Sequence, residues 1–82
     1  MDTHIELSFR DRAILRAVAG GRAELLVGVG PDLYLDGRFC ADQVAARRLA
    51  RAGLIVAAVP GPTAHRVPAC LTATGRQHAV EA

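Results

Sequence analysis

The chain predicts a small α+β domain in which helices and two strand pairs share one core. Three observations carry this. An apolar stripe of Ala13, Ile14, Ala17 and Val18 has helical spacing and stops at Gly20-Gly21. A second helical stretch, rich in Ala and Arg, runs over 41–52 and stops at Gly53. Two apolar runs, 54–59 and 65–71, then flank Pro60-Gly61-Pro62-Thr63, a composition that turns the chain between paired strands.

The elements follow in order. His4 to Leu7 alternates and predicts a short strand. Ser8 with Asp11 three positions on has the spacing of a capping box, so the first helix is expected over 9–20, with Arg10, Arg12 and Arg16 outside. Residues 23–35 read as a β-hairpin, with Val, Leu and Tyr on either side of Gly30-Pro31-Asp32, and a short helix over 23–27 is the rival assignment. The helix over 41–52 has Ala41, Ala45, Leu49 and Ala52 as its apolar face and Gln43, Arg47 and Arg51 opposite, with Arg48 at the boundary. Gly53 closes it, and the strand pair 54–59 and 65–71 follows. Thr72 is placed to cap a last short helix from Ala73 to Ala82.

With 82 residues, the chain is expected to form a single domain over 1–82. A hydrophobic content of 51% excludes a disordered chain. Aromatic residues make up only 4%, so the core is expected to consist of Leu, Val, Ile and Ala around Phe9, Tyr34 and Phe39. A domain of this size buries about 60% of its unfolded surface. So thin a core favours a homodimer and leaves little room for an effector pocket.

Charge is unevenly distributed. Residues 1–37 hold four arginines against six acids, a net −2, whereas residues 38–76 hold six arginines against Asp42 alone, a net +5. All ten basic residues are arginine, as GC-rich codon usage produces. Cys40 and Cys70 are not at metal-ligand or redox spacing and are expected to be reduced, partly buried small hydrophobes. No metal and no cofactor are expected. Gly28-x-Gly30-Pro31 is not a phosphate loop, because Pro removes a donor and no Lys-Ser/Thr follows. Nothing has the pattern of a nucleophile with its base, so a non-enzyme is expected. Asp2, His4 and Glu6 interrupt the opening apolar residues, unlike a secretory signal, and no apolar run has membrane length, so a cytoplasmic protein is expected.

Three segments together are similar to the winged helix-turn-helix DNA-binding domains, most closely the MarR/PadR type. Ser8-Phe9-Arg10-Asp11-Arg12-Ala13-Ile14-Leu15 resembles the family's first helix in the DNA-binding domain. Arg48-Leu49-x-x-x-Gly53-Leu54-Ile55 resembles the end of its recognition helix, and Leu71-Thr72-x-x-Gly75-Arg76 resembles the junction of wing and following helix. The matches cover about two-thirds of the chain, and Gly53 to Leu71 has about the family's wing length. Two departures stand out. Residues 21–40 read as a Gly-rich hairpin where the family has the first helix of the helix-turn-helix pair, and the flanking dimerisation helices are lacking.

The resemblance implies a transcriptional regulator that binds double-stranded DNA with helix 41–52 and wing 54–71. Gln43, Arg47 and Arg51 would face the major groove, with Arg48, His65 and Arg66 on phosphates. The alternative is a winged-helix protein-interaction module of phage, plasmid or regulatory accessory type. It would dock a protein partner, or a second copy, through the apolar hairpin at 25–35, with Leu26, Val29, Leu33 and Tyr34 exposed.

Overall fold

A computed structural model describes residues 6–28 and 32–80. The elements are α1 (Phe9–Ala19), β1 (Ala23–Leu26), β2 (Leu33–Leu35), β3 (Arg38–Phe39), α2 (Gln43–Arg51), β4 (Ile55–Ala57), β5 (Arg66–Leu71) and α3 (Ala73–Val80). The strands form one antiparallel sheet in the order β3-β2-β1-β5-β4, with the three helices packed on one face. The α+β expectation therefore stands at that level.

Local chemistry explains the helix ends. Ser8 Oγ accepts from Asp11 N at 3.1 Å while Asp11 Oδ2 accepts from Ser8 N at 2.8 Å, the reciprocal capping box expected at this site. Both α1 and α2 end in Schellman motifs. Gly21 (φ 77°) donates to Val18 O and Arg22 to Ala17 O, while Gly53 (φ 82°) donates to Ala50 O and Leu54 to Leu49 O. Leu54 and Leu49 are both fully buried, so the same six residues end the helix and set its last turn into the core.

The hairpin assignment for 23–35 is the one observed, with Glu24 opposite Tyr34 and Leu25 opposite Leu33; the Gly30-Pro31 turn lies outside the described residues. Asp36 (φ 53°) and Gly37 (φ 79°) form a further two-residue turn that leads into β3, a strand the sequence reading missed. Strand β1 is central. It pairs with β2 on one side and β5 on the other, Leu25 facing Val67 across the second ladder.

Alternation along the strands sorts the residues into two layers. Ala23, Leu25, Leu33, Ile55, Ala69 and Leu71 point inward and join Ile14, Leu15, Val18, Ala45, Ala46, Leu49 and Leu54 in the core. Each fully buried Leu or Ile contributes about 1.5–3 kcal/mol by leaving water. The other face carries Glu24, Leu26, Tyr34, Phe39, Val56, Arg66, Pro68 and Cys70, all half-buried or exposed.

Several expectations are corrected. Phe9 and Phe39 are exposed and Tyr34 only half-buried, so the core is aliphatic and contains no complete aromatic ring. Helix α1 stops at Ala19 with Gly20 as its C-cap, and α2 begins at Gln43 because the Asp42 side chain caps it. Strand β4 is limited to 55–57, since Leu54 belongs to the end of α2. Of the expected strand 4–7, Glu6 and Leu7 are described and are not strand, and His4 and Ile5 lie outside the described residues.

Candidate functional site

Helix α2 is positioned from both ends. Asp42 Oδ1 accepts from Ala45 N at 3.0 Å, and this bond, with the Arg10 guanidinium at 3.2 Å, holds the Asp42 carboxyl below its ordinary pKa. Its buried side is Ala45, Ala46 and Leu49, whereas Ala41 and Ala52 are exposed. Inclusion of Ala46 turns the helix by roughly 50° from the expected phase, at 3.6 residues per turn. The outward stripe is therefore Val44, Arg47, Arg48 and Arg51, at i, i+3, i+4 and i+7.

Gln43 is consequently not on that stripe. Its amide donates to Leu33 O and Cys40 O, both at 2.8 Å, and accepts from Leu33 N at 3.0 Å. Nearly the whole hydrogen-bonding capacity of the side chain is taken up in tying α2 to the β2–β3 hairpin, so it braces the helix from the hairpin side. Nothing local in the sequence signals this, because its partner strand is ten residues away.

Two of the stripe's arginines are held by acids from other elements. Arg47 Nη2 donates to Asp32 Oδ1 at 2.6 Å. Arg48 Nη2 donates to Asp11 Oδ2, crossing from α2 to the capping box of α1. Asp11 is fully buried, which pushes its pKa up; the Ser8 amide, the Arg48 guanidinium and the Ser8 hydroxyl outweigh that and hold it below the ordinary value. Its other oxygen, Oδ1, finds no hydrogen-bond partner among the described residues. Arg51 has no ion-pair partner among the described residues.

The wing residues separate. Alternation places Arg66 on the sheet face away from the helices, where its guanidinium lies 4.4 Å from the centre of the Tyr34 ring. It also donates to Gly37 O at 3.3 Å and stands 3.9 Å from Glu24. Arg66 therefore does not share a surface with the α2 stripe, because the sheet lies between them. His65 precedes β5 and is exposed; its carbonyl accepts from Val27 N at 2.9 Å, which continues the ladder and puts its side chain on the helix side of the sheet. The strand-linking turn folds back on the sheet, since a Cβ built on Gly61 would stand 2.7 Å from Val67 Cγ1.

The docking hairpin expected for a protein partner also differs from its description. Leu33 is buried, Leu26 and Tyr34 are half-buried, and Val29 lies outside the described residues. The exposed apolar groups on that side are Phe39, edge-on to Tyr34 at 5.6 Å, and Val56.

The described residues form open grooves, and two of them involve the helices. One, about 310 Å3, runs between Ala50 of α2 and Leu25, Val27, Ile55 and Ala57. The other, about 490 Å3, lies between α1 and the β2–β3 hairpin, where Arg10 and Arg22 are tied to Asp42 and Asp36. Cys40 is a buried free thiol lining the second groove, and Cys70 is a half-buried free thiol on the outer sheet face. No group of three or more His, Cys, Asp or Glu side chains close enough to hold a metal occurs among the described residues. No helix among them is long and apolar enough to cross a membrane. No family model, no curated protein and no solved structure matches this chain.

Proposed function

We propose that this protein is a small winged-helix DNA-binding protein, a transcriptional regulator that seats α2 in the major groove of double-stranded DNA. The observation that carries the reading is the composition of the α2 stripe: three arginines, one valine and no acid on one exposed helix face. The order helix, hairpin, helix, strand pair, helix agrees with the family resemblance, with the β2–β3 hairpin standing where the family has a supporting helix.

The ion pairs to Asp32 and Asp11 do not remove Arg47 and Arg48 from use. Each guanidinium has five N–H donors in a fixed fork, and the contact to its acid occupies one of them. The acids orient the forks before DNA arrives, which lowers the entropy lost on binding. The exposed Arg47–Asp32 pair contributes about 0–1 kcal/mol at most, so its exchange for a phosphate or guanine edge costs little. Arg51 and His65 complete the proposed contact surface, while Gln43 braces it from behind and Arg66 is outside it.

The test is a fluorescence titration of labelled duplexes, including a random-sequence pool, at two salt concentrations. Binding is expected to weaken at higher salt, roughly in proportion to the number of phosphates neutralised. Arg51→Ala is expected to weaken it by about 1–3 kcal/mol, about five- to 150-fold, if Arg51 reads a guanine. Absence of salt-dependent binding at tens of micromolar protein refutes the reading.

A second reading, a protein-interaction module, is favoured by one observation: the outer sheet face presents Phe39, Val56, Tyr34 and Leu26 with no covering layer among the described residues. Under it, a homodimer or a protein partner covers that face. Cross-linked dimers lost on Phe39→Asp would support it.

A further inference from the structure

Val44 is 80% exposed on the first turn of α2, at the N-terminal end of the arginine stripe. Three features of its setting bear on what it contacts. Arg47 and Arg48, at i+3 and i+4, are drawn toward Asp32 and Asp11, so Val44 projects at the N-terminal end of the stripe with guanidiniums on its C-terminal side. Asp42, the acid two residues before it, has one carboxylate oxygen on Ala45 N and the other on Arg10, which hold it to the helix start and to α1. Val is stiff at its first torsion, so placing its methyl groups against a surface costs little rotamer entropy.

This inference rests on the DNA reading of α2. The floor of the major groove offers donors, acceptors and a single apolar group, the C5-methyl of thymine, and recognition helices use their N-terminal residues on base edges. The only chemistry there that an exposed isopropyl group matches is that methyl. We propose that Val44 is a specificity-determining residue that selects a thymine at one position of the bound site, next to the bases or phosphates held by Arg47 and Arg48.

The experiment takes duplexes enriched by the full-length protein from a randomised pool and resynthesises the best binder with deoxyuridine in place of each thymidine in turn. Deoxyuridine keeps the base pair and removes only the methyl. One replacement is expected to weaken wild-type binding about three- to fivefold, the value of burying one methyl group. The same replacement is expected to leave Val44→Ala unaffected, with Val44→Thr, which retains one methyl, intermediate. Circular dichroism is expected to be unchanged in both variants, because Val44 supports no packing. If the protein binds in a salt-dependent way and no single replacement changes its affinity, the inference is overturned and the DNA reading stands. If wild type and Val44→Ala lose equally, the methyl is read by another residue and the inference again fails. If no duplex binds, both fail.

Discussion

Gly75→Ala separates helix propensity from packing, because the two give opposite signs. In an unobstructed helix interior the change stabilises by about 1 kcal/mol. Here Gly75 lies in the first turn of α3, buried against Leu54 at the end of α2, where an added Cβ would stand 3.0 Å from Leu54 C and closer still to its carbonyl oxygen. Backbone cannot swing aside as a side chain can, so α3 must move. The movement strains Thr72 N to Leu54 O at 3.0 Å and Gly75 N to Thr72 Oγ1 at 2.9 Å, the contacts that hold the helix start to the end of α2. Overpacking costs about 1–3 kcal/mol and each weakened hydrogen bond about 1 kcal/mol. Set against the propensity gain, the expected loss is about 2–4 kcal/mol, a large part of the stability of so small a domain. Urea unfolding followed by circular dichroism is expected to show the midpoint lowered by about 1–2 M with unchanged slope. A midpoint equal to or above that of the wild type would refute the close approach of α3 and Leu54.

The remaining predictions concern charge, backbone strain and the DNA surface. Asp11 has a folded pKa below its ordinary 3.8, so its contribution is complete above that value and is lost as pH falls through the folded pKa. Asp11→Asn is expected to cost about 1–3 kcal/mol at neutral pH and to make the acid limb of the stability profile shallower, as read by thermal melts from pH 2 to 7. Ala64 has φ 69°, a left-handed conformation that penalises a Cβ. Ala64→Gly is expected to be neutral to about 1 kcal/mol stabilising, and a loss of stability in the same melts would contradict that assignment. Arg66→Ala is expected to change DNA affinity by less than about twofold, because Arg66 lies across the sheet from α2, whereas losing one phosphate contact would lower the salt slope by about one ion.

Much of the fold was legible because its signals are local. The capping box of Ser8 and Asp11, the terminating Gly20-Gly21 and Gly53, and the Thr72 cap each depend on neighbours within a turn or two. Hairpin 23–35 was legible from its turn residues. The phase of α2 was not, because five alanines in and beside it carry almost no directional signal, and burial of Ala46 in place of Ala41 depends on the tertiary packing of the core. The placement of Gln43 and Arg66 away from the α2 stripe was hidden for a related reason. Gln43 is held by Leu33 and Cys40, and Arg66 by Tyr34, Gly37 and Glu24, all non-local partners brought close only by the sheet order. Val44 drew no notice in the sequence, where a valine in a helix reads as core; only its exposure marks it.

The central position of β1 also governs how the chain can fold. Its ladder to β2 closes over a short connection, but its ladder to β5 joins Glu24 to Pro68, 44 positions apart. Closing so long a loop costs entropy that only the completed sheet and core return, so high contact order should slow folding relative to helical domains of equal size. During synthesis the segment up to α2 emerges with one edge of β1 unpaired and with Leu25 lacking Val67 across the ladder. Until β5 leaves the ribosome, that edge is open to pairing with any extended chain. The nascent half-domain is thus the species most exposed to aggregation, and the last strand to be made is the one that removes the hazard.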